Sequence, residues 1–301
     1  MESNKRRKFI KTSGLASAGL LFLPACGSSS ENRKQLQQQD KETEIGIQIY
    51  TLRDLLAEDP ADVIKKIATI GYDYLEIYGY ADGEYFGMSA GAFYKLVKDS
   101  GLKIKSSHHH TGRIGKKRGT MLNGWEQAVE DADKAGQEYM VCAWLDPEER
   151  KSLDDYKELT DILNRAGEIS REAGIQLCYH NHDFEFMEME GEIPMNYLLE
   201  NTDEKYLKTE LDLYWITKAG FDPVEFFEKF PGRIPLWHVK DMEDSPEKGF
   251  DEVGEGIIDF QRIFANAERS GMKYFFVEQD ISEDPLASVK ISYNNLKTNI
   301  L

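Results

Sequence analysis

The chain lacks an apolar segment long enough to remain in a membrane as a spanning helix. The one near its N-terminus, Leu15 to Leu23, falls well short of the ~20 residues that a bilayer requires. Cysteine is scarce, with 3 residues in 301, which argues against a fold stapled by disulfides. Positive charge is in deficit: 37 Lys and Arg face 54 Asp and Glu, a formal net charge of −17. Phosphate binding needs a basic surface that releases counterions, so no nucleic-acid partner is expected. No Gly-x-Gly-x-x-Gly follows the first strand-like run, and a dinucleotide-binding fold is therefore without its fingerprint.

What is present begins with an address. "NKRRKFIKTSG" carries Arg6-Arg7 ahead of the short apolar segment, the pattern of a twin-arginine export signal. "LPACGSSS" follows, with a small residue before Cys26 and a serine-rich stretch after it, and resembles the lipobox of bacterial lipoproteins. Residues 1–26 are expected to be an export signal ending at a lipidated Cys26. Residues 27–43 are expected to be a flexible linker and residues 44–301 the folded domain. The expected location is the periplasm, with the membrane reached only through the lipid anchor. Cys142 and Cys178 remain in the domain, inside the apolar runs "MVCAW" and "QLCYH", and are expected as buried free thiols.

From Glu44 onward, short apolar or β-branched runs alternate with amphipathic stretches. "IGIQIY" precedes "DPADVIKKIATIG", where Val63, Ile64, Ile67 and Ile70 recur at helical spacing. The same beat runs through "YDYLEIYG", "LKIKSS", "EYMVCAW", "IQLCYH", "YLKTELD", "IPLWHV" and "YFFVE", each followed by a helix pattern. Gly71, Gly101, Gly136, Gly174 and Gly271 stand where a helix would end in a left-handed residue. This alternation, without a domain-sized linker, predicts an α/β fold: a single closed (β/α)8 TIM barrel rather than an open doubly wound sheet.

In such a barrel the last inward residues of each strand share one mouth, and chemistry gathers there. Glu76 ends the second run, and His108, His109 and His110 the third. His180 and His182 share one parity at the fifth, Glu210 and Asp212 at the sixth, His238 and Lys240 at the seventh, Glu278 and Asp280 at the eighth. All 6 histidines thus fall at C-terminal strand ends. A single histidine there is more often a hydrogen-bonding loop residue than a ligand. Asp183 and Asp222 read as helix N-caps or solvated charges, and Glu185 fits either a cap or the site. Imidazoles and carboxylates converging from four strands weigh more. That donor mixture suits one divalent ion, Mn, Zn, Co or Fe, rather than Mg or Ca.

The segments "YHNHDFEF", "ELDLYW", "WHVKDM", "EVGEGIIDF" and "FVEQD" together resemble the sugar phosphate isomerase/epimerase superfamily, the xylose isomerase-like barrels, over roughly Ile45 to Leu296. That group includes ketose 3-epimerases, inosose dehydratases and apurinic endonucleases, so the resemblance is specific for the superfamily and poorly specific for the reaction. It implies one metal ligand from each of the last four strands: Asp212 in "ELDLYW", His238 in "WHVKDM" and Glu278 in "FVEQD". The fifth-strand ligand is usually a glutamate in the epimerases, whereas the matching place here holds His180. This departure removes a negative charge and one of the two carboxylates with which 3-epimerases move a proton on opposite faces of the sugar. The resemblance further implies an enediolate stabilised by the metal, with Glu278 or His182 as base and Lys240 steadying the developing oxyanion. A salt bridge to Glu210 or Asp212 is an equal reading for Lys240. Glu76, His108, His110, Trp144 and Glu210 are assigned to substrate contact. Tyr50, Tyr214 and Trp215 either stack on a sugar with Trp144 or pack the barrel rim.

The expected activity is that of a metal-dependent isomerase or epimerase acting on a keto-sugar through an enediolate. Export separates the protein from cytoplasmic sugar phosphates, and beyond "GRIGKKRG" at residues 112–119 no Lys/Arg cluster stands ready for a phosphate. A free sugar, a glycoside or an oxidised sugar is the expected partner. Removing the C2 proton of a 3-keto-glycoside and expelling its C1 substituent uses the same enolate. A lyase or hydratase is therefore the first alternative, and the His180 departure favours it. A non-catalytic carbohydrate-binding barrel is the second. An apurinic endonuclease is opposed by the net charge and the export signal. Barrels of this group often form dimers or tetramers; no interface signature stands out for a homo-oligomer.

Overall fold

Eight parallel strands follow the expected apolar runs of the computed structural model, which describes residues 43–115 and 117–301. They are β1 (Gly46–Gln48), β2 (Tyr74–Ile77), β3 (Lys103–His109), β4 (Tyr139–Cys142), β5 (Gln176–His180), β6 (Leu207–Asp212), β7 (Leu236–Val239) and β8 (Tyr274–Val277). Each strand pairs with its sequence neighbours, and β1 closes the barrel on β8 through Gly46 opposite Phe276. Thr43–Leu301 is one compact unit. The expected export signal, Cys26 and the linker up to residue 42 lie outside the described residues.

The outer helices are α1 (Pro60–Ile70), α2 (Ala90–Asp99), α3 (Trp125–Lys134), α4 (Leu153–Glu172), α5 (Pro194–Asn201), α6 (Pro223–Lys229), α7 (Phe260–Phe264) and α8 (Pro285–Asn295). Helix α1 shows why they form where they do. The Asp59 carboxylate accepts from the N–H groups of Ala61 and Asp62, Pro60 occupies the first turn, and Val63, Ile64 and Ile67 are buried against the barrel. It stops at Gly71, whose φ of 120° disfavours any side chain. Asp222 caps α6 as expected, by accepting from Val224 and Glu225. Asp183 makes no side-chain cap bond to the turn that follows it. The seventh helix pattern breaks into Phe260–Phe264 and Ala267–Ser270, and a further helix, Leu213–Lys218, follows β6 directly.

The period of two along each strand sorts the barrel interior into layers. Tyr74, Val141, Cys178, Leu236 and Phe276 form an apolar plug in the lower barrel. Burying a side chain such as Leu236 or Phe276 contributes about 1.5–3 kcal/mol, so the plug is a firm floor. Two residues further along the same strands stand Glu76, His180, His238 and Glu278, and the interior changes from apolar to ionisable in one step. Cys142 and Cys178 are free and buried. Cys142 pairs with Tyr179 and Cys178 with Val141 in register, so the two thiols face opposite sides of the sheet.

Candidate active site

His180 is the last residue of β5, and its Nδ1 lies 3.2 Å from the carbonyl oxygen of Ala143. A carbonyl only accepts, so Nδ1 carries the proton and Nε2 presents a lone pair. That Nε2 lies 3.2 Å from Asp212 Oδ2 and 3.1 Å from His238 Nδ1. His238 is set in the same manner from its other side: its Nε2 lies 2.6 Å from Glu76 Oε1 and donates to it. Its Nδ1 then faces Glu278 Oε2 at 2.8 Å. Asp212 is held by its remaining groups. Its Oδ1 accepts from Trp215 N at 2.9 Å and its own N–H donates to Asn181 Oδ1, which leaves Oδ2 for the centre. One donor atom each from His180, Asp212, His238 and Glu278 lies within 4.8 Å of every other. All four residues are buried, and two nitrogens with two carboxylate oxygens in a closed shell fit a divalent ion. The carbonyl and carboxylate behind the imidazoles are the orienting partners that metal-binding histidines require.

Beside this quartet, and sharing His238 with it, lies a second ionic cluster. His108 Nε2 sits 2.9 Å from Glu76 Oε1 and 2.8 Å from Glu210 Oε2, and its ring stacks on His238 with centroids 5.2 Å apart. Gln48 Nε2 donates to Glu76 Oε1 at 2.9 Å. Burial works against charge here, but the two carboxylates outweigh it and push His108 up to about 9. Glu76 is held well below the usual carboxylate range: burial opposes this, and the His108 and His238 rings overcome it.

Lys240 brings a positive charge to the quartet. Its Nζ lies 2.9 Å from Asp212 Oδ2, 2.6 Å from Glu278 Oε2 and 2.8 Å from Asp280 Oδ2. Against the cost of burial, that ammonium holds both Asp212 and Glu278 below the usual carboxylate range. The expected salt bridge to Asp212 is present, and Glu278 and Asp280 take the place of Glu210. His182 is governed by other forces. Its ring stacks on Phe184 at 5.3 Å with 6° between planes, and Arg150 covers Phe184. Its Nδ1 is buried without a partner, and burial, with His180 and Lys240 nearby, holds the ring neutral. Glu185 accepts from the His182 N–H at 2.7 Å and from Tyr179 O–H at 2.6 Å, so it anchors the loop and does not reach the centre.

A cavity of about 480 Å³ opens beside these two clusters. Of the candidate site residues, His108, His110, Trp144, His180, His182, Lys240 and Glu278 line it, whereas Asp212 and His238 are buried and are not among its lining residues. Nor do Glu76 and Glu210 line it: both are fully buried, against His108 and His238. His109 has the other parity and leaves the barrel interior, packing edge-on against Trp125 at 5.1 Å. Tyr214 and Trp215 pack with Phe250 behind β6 and are not among the residues lining the cavity. Tyr78 does line it and was missed, although it shares the parity of Glu76 two residues back.

Fold and site together define a (β/α)8 barrel with a candidate four-donor metal site at the C-terminal ends of its last four strands. Over residues 64–297 the chain matches, and belongs to, the xylose isomerase-like TIM barrel family. It is similar to inosose dehydratase of Clostridium perfringens, with 27% identity over 157 residues, 46% of this chain and 52% of that protein. Inosose dehydratase of Geobacillus kaustophilus is 31% identical over 162 residues, 48% of this chain and 51% of that protein. The chain thus spans about half the length of these curated relatives. A solved sugar phosphate isomerase/epimerase from Parabacteroides distasonis matches with a TM-score of 0.75 and 29% identity, over 86% of this chain and 94% of its own.

Proposed function

We propose that this protein is a divalent-metal-dependent lyase that removes the proton beside the carbonyl of a keto-sugar and eliminates a substituent from the next carbon. The observation that carries the proposal is the pair of imidazoles fixed from behind by Ala143 O and Glu76, so that both face Asp212 and Glu278 beside a cavity that His180 and Glu278 line. His180, Asp212, His238 and Glu278 would hold the ion, which supplies a Lewis acid for the carbonyl and an adjacent hydroxyl. His182, held neutral by burial and lining the cavity, takes the proton. Lys240 offers its ammonium to the oxygen on which charge develops. In a 3-keto-glycoside the C2 proton passes to His182 and the C2–H electrons form the C1=C2 bond. The C1–O bond then breaks with its electron pair, and the leaving oxygen is protonated by water.

His180 stands where a second acid/base carboxylate would serve an epimerase, which favours elimination, and the similarity to inosose dehydratases supports it. Epimerisation, with the proton returned to the opposite face, is the second reading and draws on the likeness to the Parabacteroides isomerase/epimerase. An unphosphorylated substrate fits the cavity. Arg113 is turned to Asp155 and Glu158, and Lys117 is the only described residue of "GRIGKKRG" with a side-chain cation that lines the cavity. The leader pattern alone supports a periplasmic site of action on a lipid anchor at Cys26.

The test is to incubate the manganese-loaded protein with 4-nitrophenyl 3-keto-β-glucoside in D2O. Release of nitrophenol with an enone product is expected. Deuterium entering the sugar without release of nitrophenol would replace the lyase with the epimerase.

A further inference from the structure

The cavity is chemically two-ended. Its inner end is ionic, with His180, His182, Lys240 and Glu278 almost wholly buried or partly so. Its outer end is aromatic: Tyr50 and Trp144 line the same space yet remain 38% and 37% exposed. Tyr50 is fixed in advance. Its N–H donates to Gln48 Oε1 at 3.1 Å, the Arg53 guanidinium lies 4.7 Å over its ring, and Tyr78 packs edge-on at 5.1 Å. Arg53 is tied in turn to the carbonyl oxygen of Asp280 at 2.8 Å, so the aromatic rim is joined to the β8 end of the site. A ring held this firmly loses little freedom when a ligand stacks on it.

A volume of about 480 Å³ leaves room beyond a single sugar ring, within the range of ~300–1,000 Å³ that encloses a drug-sized molecule. Rigid aromatics suit the apolar face of a pyranose or a planar aryl group, whereas the inner donors suit oxygens. We propose that Tyr50 and Trp144 form an outer subsite for the leaving group of a glycoside, a second sugar ring or an aryl group. The substrate is then a glycoside of at least two rings and not a free monosaccharide. This rests on the elimination reading, in which C1 carries a leaving group.

Binding is separated from chemistry by unoxidised probes, whose C2 proton is not acidified by a neighbouring carbonyl. Calorimetry on the full chain with manganese would compare glucose with 4-nitrophenyl β-D-glucopyranoside. The glucoside is expected to bind at least about tenfold more tightly, the scale of a good aromatic contact. Tyr50→Ala and Trp144→Ala should each remove most of that advantage and leave glucose binding unchanged, which also reports that they fold. Equal affinity for both probes, binding of neither, or equal loss of both in the variants overturns the subsite. Turnover then separates the two claims. Equal kcat/KM on the methyl and nitrophenyl 3-keto-glucosides keeps the lyase and overturns the subsite. Selective binding of the nitrophenyl glucoside without elimination from either keeps the subsite and removes the lyase.

Discussion

Glu76 Oε1 lies 2.6 Å from His238 Nε2, with both side chains fully buried. The contact joins the second ionic cluster to the quartet, because it fixes which nitrogen of His238 faces Asp212 and Glu278. Orienting partners of this kind are typically worth about 10–100-fold in metal affinity. Glu76→Ala is therefore expected to weaken manganese binding by that factor in a chelator competition. Glu76→Gln, which still accepts one hydrogen bond, should recover part of the loss.

Lys240 touches Asp212, Glu278 and Asp280, and its replacement leaves buried carboxylates uncompensated. Breaking such a set costs about 3–5 kcal/mol. Lys240→Met should accordingly lower the melting temperature of the metal-free protein. Manganese should raise it by more than it raises the parent's, since the ion supplies the missing charge to Asp212 and Glu278. Thermal unfolding with and without the ion checks both parts.

His109 gives the protein an acid-sensitive element at the wall of the cavity, outside the ligand quartet. Burial pushes it down to about 3, against a usual value near 6.5. The unfolded chain thus takes up a proton below about pH 6.5 that the folded one refuses, and this contribution to stability is lost as pH falls from there toward about 3. The slope for one group is about 1.4 kcal/mol per pH unit at most. The His109 ring signals in an NMR titration should stay fixed from pH 8 down to pH 5, and any titration near pH 6.5 contradicts the assignment.

The barrel was legible because its strand and helix periods alternate so regularly, and because glycines such as Gly174 and Gly271, with φ of 80° and 84°, mark the helix ends. Parity along a strand also carried real information: His180, Asp212, His238 and Glu278 do converge. Depth did not show. Glu76 and Glu210 have the right parity for substrate contact but are fully buried against His108 and His238 and do not line the cavity, because a period of two fixes the face and not what covers it. The two-stranded hairpins Glu84–Tyr85 with Met88–Ser89 and Asp241–Met242 with Phe250–Asp251 sit within loops and were too short to leave a periodic trace. Nor does a sequence announce that a main-chain carbonyl, Ala143 O, sets the tautomer of His180.

Elemental analysis of the purified protein beside its His180→Ala and Asp212→Ala variants tests the central claim most directly. The account predicts one equivalent of Mn, Zn, Co or Fe in the parent and loss of that ion in both variants. A parent that takes up no divalent ion even from excess would contradict it, and would leave Lys240 as the cation that Asp212 and Glu278 hold.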